Sequence, residues 1–343
     1  MTFLPPLADA ACFAPPSIKA LADATPLFSP EPAKACAYSS LLYNRARHAL
    51  FHIGMAIDAK RIWVPAYHCP AMVEPFIAAG MQVAFYPVNT NLSADLNFLG
   101  GRLEQQDALL GVRYFGFDSG VPELAELCQK TGALLIEDLA HAAVVDKLYG
   151  QLAVTSLVKF YPVQVGAELL IADGALSADD LNAHYRQLPG ALSNKWQSLV
   201  QAVQQRLHMK VASGYRYFDA RDVSRLHATN TRQYLETRPA RQISEKRRAN
   251  YMQMAKRLAD SSYGSPLFPV LPEQVTPYVL PFLLSDESGF NHIRQHGVQI
   301  YRWEELVPGE CQVSMDYRRH LVQLPCHQGL EQSQIDFIVG LLD

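Results

Sequence analysis

From residue 38 to about residue 175 the chain alternates short apolar runs with stretches of helical periodicity, and this alternation constrains its fold more than any other feature. SSLLYNRARHALFHIGMAI carries a helical stripe, RIWVPAY reads as a strand, PAMVEPFIAAG as a helix and QVAFYPV as a second strand. The run continues with ALLGVRYF, the helical VPELAELCQKTG, and then ALLIED, LAVTSLVK and ELLIADG. Continuous apolar strands separated by helices predict a mostly parallel sheet covered on both faces, the core of a large α/β domain.

Beyond this core the pattern changes. Trp196, Leu199, Val200, Val203 and Leu207 form a helical stripe that predicts a packed helix over 194–213, and the polar stretch from GYRYFDARD to RPARQ reads as a connector. Ser244 is the expected N-cap of a helix beginning SEKRRANYMQMAKRL, followed by strands in PLFPV, PYVLPFLL and VQIYRW and a last helix in QSQIDFIVGLLD. With 343 residues, 49% of them apolar, both parts can hold a core. The expected division is a large α/β domain over 1–240 and a smaller α+β domain over 241–343.

A net charge of -3 with no basic stripe argues against nucleic acid and anionic membrane surfaces as partners. The proline-broken start MTFLPPLADAACFAPP does not read as a signal peptide, and no apolar run reaches the roughly 18 residues of a membrane span. Cys12, Cys36, Cys69, Cys128, Cys311 and Cys326 contain no CxxC pair, which argues against a zinc site or a disulfide framework. The expectation is a reduced, cytoplasmic protein with a small-molecule ligand and no metal.

Ligands of open α/β sheets bind beyond the carboxyl ends of the strands, so Glu137 and Asp138, at the end of ALLIED, stand where a functional acid is expected. The alternative for Asp138 is a helix cap for DLAHAA. His141, three residues on, is either a site residue or a core histidine of that helix.

The segments NRARHALFHIGMAI, IWVPAYHCPAMVEPFIAAGMQVAFYPVN, GVRYFGF and LLIEDLAHA, in this order, resemble the fold-type I, pyridoxal-phosphate (PLP) aminotransferases that act on nucleotide-linked sugars, the DegT/StrS type. RRANY, PYVLPF and LVQLPCHQGL extend the resemblance into the C-terminal part. It implies a PLP-transferase large domain, a homodimer with its pockets near the subunit interface, and a nucleotide-sugar substrate. By the same resemblance Asp138 partners the ring nitrogen and His141 stands beside the 3-hydroxyl. Asn44, Arg45 and Ala46 form the helix start that holds the phosphate, where free N–H groups favour an anion. Tyr67 and His68 contact the ring. Arg113 binds a substrate carboxylate or pairs with a neighbouring acid, and Arg45 is otherwise a solvated helix residue.

The family's last motif reads roughly S-F-x-x-x-K, serine for the phosphate and lysine for the Schiff base. Aligned on the aromatic and proline of KFYPVQ, it puts Lys159 on the serine and Gln164 on the lysine. An amide nitrogen is not nucleophilic, so this register implies that transamination is lost and that PLP is bound non-covalently or is absent, as in a ligand-binding scaffold or a lysine-free sugar dehydratase. A second register, ranked lower on sequence, makes Ser156 the phosphate donor and Lys159 the Schiff-base lysine of an active aminotransferase at S-x-x-K spacing.

Overall fold

The computed structural model of the protein describes residues 38–142, 147–161, 163, 165–172, 176, 178–185, 217–223, 240–303, 305–306 and 309–343. The helix expected over 194–213, Gln164, Cys12 and Cys36 lie outside the described residues.

The first sheet contains β1 (Ser39–Tyr43), β2 (Arg61–Pro65), β3 (Gln82–Tyr86), β4 (Asp107–Val112), β5 (Leu134–Leu139), β6 (Leu152–Thr155) and β7 (Ala167–Ile171). Their order is β1-β7-β6-β5-β4-β2-β3. Neighbours from β6 to β3 pair in parallel, whereas β7 runs antiparallel to both β6 and β1. The helices α1 (Ala46–Ala56), α2 (Pro70–Ala78), α3 (Leu96–Gly100) and α4 (Val121–Thr131) connect the strands, and α5 (Ala178–Tyr185) follows β7. Strand β4 is buried at every position, as a central strand covered on both faces must be.

The C-terminal part contains α6 (Ala240–Arg257), a three-stranded antiparallel sheet of β8 (Gly264–Pro266), β9 (Val279–Leu284) and β10 (Leu321–Pro325), and helices α7 (Ser288–Gln295), α8 (Gln312–His320) and α9 (Gln332–Gly340). No helix among the described residues is long and apolar enough to cross a membrane. The cysteines described, Cys69, Cys128, Cys311 and Cys326, are free.

Four local expectations need correction. SSLLY is an antiparallel strand paired with β7, and helix α1 begins only at Ala46. DLAHAA is not the start of a helix: Asp138 and Leu139 end β5, and the chain turns at Ala140 and His141. Ser244 lies inside α6, where its hydroxyl bonds the Thr276 hydroxyl at 2.6 Å. VQIYRW contributes one isolated bridge, from Tyr301 to Gln323, in place of a strand.

Candidate active site

The carboxyl ends of the central strands open on a cavity of about 220 Å³. Val112 closes β4, Asp138 is the penultimate residue of β5 and Ser156 directly follows β6, so three adjacent strands deliver residues to one place. Arg45, Ala46 and Arg47 bring in the start of α1, Cys69 the start of α2, and Trp303 the C-terminal part. Lys159 and His141 complete the polar lining.

At the α1 start Arg45, the N-cap, has extended backbone and makes no side-chain cap bond, and the first turn carries no acid. Arg45, Ala46 and Arg47 line the cavity, and a helix start with no capping carboxylate favours an anion. The loop after β1 is held to the loop after β6 by Gly166 donating to the Asn44 carbonyl at 2.9 Å, and Gly166 in turn accepts from Leu157 at 3.0 Å.

Lys159 ends a single turn of 3-10 helix, Leu157–Lys159, anchored by Leu157, Phe160 and Tyr161, which pack with Ile243 of α6. Its ammonium lies 5.3 Å from the Tyr278 ring centre. Burial lowers its pKa from the usual lysine value, against the opposing pull of Asp138 and Cys69. Asp138 is buried, accepts the Ala140 N–H at 2.8 Å, and has its pKa raised by burial despite Lys159. The Cys69 thiol is raised by burial too.

His141 lies near-parallel to Tyr278, ring centres 4.5 Å apart, and to Phe115 at 5.5 Å, with Trp303 tilted against it at 5.6 Å. Burial and then Lys159 hold it well below the usual histidine pKa, so it is neutral. Phe115 reaches this stack from a left-handed backbone, φ 58°, which costs about 1–3 kcal/mol for a residue with a side chain.

Several expected residues lie elsewhere. Arg113 is engaged with Glu137, its Nε and Nη2 donating to one carboxylate oxygen at 3.0 and 2.8 Å, and with the Lys147 carbonyl at 2.7 Å. It takes the second of its two expected roles, pairing with a neighbouring acid, and is not a cavity residue. His68 stacks on Phe85 at 4.8 Å, its Nδ1 bonded to the Pro65 and Ala66 carbonyls, and burial pushes its pKa down to about 4. Tyr67 is fully buried against Trp303, ring centres 4.8 Å apart, and so stands behind the cavity wall. Asn44 contributes its backbone. Arg47, Cys69 and Trp303 line the site without having been singled out in the sequence; the only hint for Trp303 was its aromatic-rich setting, YRW.

No family profile and no curated protein matches the sequence. Solved structures do match over nearly the whole chain. PseC of Helicobacter pylori, an aminotransferase involved in the biosynthesis of pseudoaminic acid, is 15% identical, covers 94% of each chain and superposes with a TM-score of 0.68. A putative sugar aminotransferase of Streptococcus pneumoniae in its apo form is 13% identical over 99% of this chain and 96% of its own, TM-score 0.68. The aminotransferase TlmJ of Streptoalloteichus hindustanus is 18% identical over 88% of this chain and 84% of its own, TM-score 0.64. The fold is that of the fold-type I sugar aminotransferases.

PLP is the cofactor of that enzyme class, and the residues present fit it chemically. The lining supplies groups that suit a phosphate at Arg45, Arg47 and Ser156, a carboxylate that suits a pyridine nitrogen at Asp138, and an amine at Lys159.

Proposed function

We propose that the protein is a PLP-dependent aminotransferase acting on a nucleotide-linked sugar, with Lys159 as its Schiff-base lysine and Ser156 as a phosphate donor. The observation that carries this reading is that Lys159 and Ser156 line one cavity with Asp138 and His141. The S-x-x-K register thus brings both of its residues to the strand ends, and it is preferred here to the register that placed the lysine position on Gln164.

Bound PLP would serve as the electron sink that lets an amino group be transferred through a carbonyl carbon. The chain's own residues provide the rest. Asp138 holds a proton on the ring nitrogen, Ser156 and the α1 start hold the phosphate, and neutral His141 donates or accepts beside the ring oxygen without adding charge. Lys159, shifted toward neutrality by burial, is a nucleophile before the cofactor arrives and a proton carrier afterwards. The same reading makes the protein a homodimer whose partner subunit completes the open side of the pocket.

Borohydride reduction of the PLP-treated protein, followed by peptide mapping, tests the assignment. The reduced cofactor is expected on Lys159 and is expected to be absent from a Lys159→Ala variant. PLP that binds but leaves Lys159 unlabelled would return the reading to a non-covalent binder with Gln164 at the lysine position.

A further inference from the structure

Arg247, on α6, is fully buried, and among the described residues it pairs with no carboxylate. Burial pushes its pKa down to about 10, so it remains a cation at neutral pH. An isolated buried charge is costly unless its donors are used. Here they are used on backbone. Nη1 donates to the Tyr278 carbonyl at 2.8 Å and the Pro277 carbonyl at 3.3 Å, Nη2 donates to the Lys159 carbonyl at 3.1 Å, and Nε donates to Gln328 Oε1 at 2.7 Å. Gln328, itself buried, uses its amide N–H to bond the Phe160 carbonyl at 2.7 Å. The guanidinium lies 4.6 Å from the Phe160 ring centre.

The two backbone segments so joined carry Lys159, which lines the cavity, and Tyr278, whose ring centre lies 5.3 Å from the Lys159 amine. Carbonyl groups at the end of one 3-10 turn and before β9 would otherwise need other donors, and few side chains present as many directed N–H groups as arginine. We infer that Arg247, assisted by Gln328, is a positioning residue that fixes the Lys159 amine against Asp138, Cys69, His141 and Tyr278 by holding the backbone on both sides of it. The inference rests on the reading of Lys159 as the cofactor's amine, but the clamp itself is present without cofactor and is tested without it.

Trace acetylation of the cofactor-free protein across a range of pH, read by peptide mapping, gives the titration midpoint of Lys159. It should lie below the ordinary lysine value of about 10.4 in the wild type, and should move up toward that value in Gln328→Met and in Arg247→Lys, which keeps the charge but loses the fork. Unfolding curves show whether each variant is folded, and Gln328→Met, which removes two bonds and no charge, carries the test if Arg247→Lys does not fold. In the folded variants the fraction of PLP fixed by borohydride should fall at least about tenfold, the scale expected when a reacting group is displaced by about an ångström. A Lys159 midpoint that is unchanged in both variants, or already ordinary in the wild type, overturns the positioning role. Failure of the wild type to attach PLP at Lys159 would overturn the proposed function and leave this result standing.

Discussion

Asp138 and Lys159 line one cavity and oppose each other's titration: Lys159 pulls the carboxyl pKa down and Asp138 pulls the amine up, yet burial prevails at both and shifts each toward its neutral form. A site at rest in this condition is unusual as a salt bridge but suits one waiting for a charged ring. A protonated pyridine beside Asp138 would supply the cation that ionises it.

Asp138→Asn separates this role from a merely structural one. The turn bond from Ala140 survives, since an amide oxygen accepts as well. PLP affinity should fall by about tenfold to a hundredfold, the worth of a hydrogen bond to a charged partner. The stability change has the opposite sign. Because the folded-state pKa is raised, the folded protein binds the proton more tightly than the unfolded chain, and stability falls as pH rises from the ordinary value of about 3.9 through the folded value. The cost persists at neutral pH. The variant should therefore melt higher than the wild type at neutral pH, with the gap closing in acid; a lower melting temperature at neutral pH would contradict the burial account.

Arg113→Met should destabilise the protein by about 3–5 kcal/mol, because it strands a buried carboxylate. Glu137 is fully buried, and its other oxygen already takes the Tyr149 and Gly150 N–H groups at 2.5 and 2.7 Å. Urea unfolding measures the loss. The folded fraction should bind PLP and a carboxylate-bearing amino donor as the wild type does, whereas a substrate-carboxylate site would lose the donor and keep PLP.

Gly116 has φ +102°, and a Cβ there would lie 2.4 Å from the Thr276 carbonyl oxygen and 3.3 Å from that of His141. Gly116→Ala should cost at least about 1–3 kcal/mol, from backbone strain in a conformation that side chains disfavour. Moving Thr276 would drag on Tyr278 two residues later, so the near-ultraviolet circular dichroism of the His141–Tyr278–Phe115 stack should change as well. Calorimetry and circular dichroism together check both effects.

What the sequence showed and what it hid follow from the reach of the forces involved. The runs RIWVP, ALLGV and LLIED were legible because a strand buried on both faces must be apolar throughout. Asp138 was legible because a carboxylate ending such a run stands out. SSLLY reads as helix because Leu41, Leu42 and Tyr43 join the apolar stripe of α1, and only pairing with β7 makes them a strand. Ser244 offered good cap chemistry, but α6 had already begun at Ala240. Cavity contacts by Cys69 and Trp303 are set by packing between distant segments, which no local pattern encodes. The sequence leaves Arg113 two roles, because only the fold brings Glu137 to its donors. The two lysine registers differ only in how the few residues after β6 are threaded, a choice that alternation of apolar runs cannot make.

Ser156→Ala decides between those registers by chemistry. In the S-x-x-K reading the Ser156 hydroxyl binds the phosphate alongside the α1 start, and its loss removes one hydrogen bond to a charged group, worth about 1.5–3 kcal/mol. PLP affinity should therefore fall by roughly tenfold to a hundredfold. Pyridoxal, which has the same ring and aldehyde but no phosphate, should bind the variant and the wild type equally. If Lys159 were instead the phosphate contact, Ser156→Ala would leave both affinities unchanged, and Lys159→Ala would weaken PLP while sparing pyridoxal. Should Lys159 be the Schiff-base lysine, Lys159→Ala must weaken both ligands, because the aldehyde is common to them. Parallel absorbance titrations of the two variants with the two ligands read out this four-way comparison, and equal losses of PLP and pyridoxal in Ser156→Ala would overturn the phosphate role given to that hydroxyl.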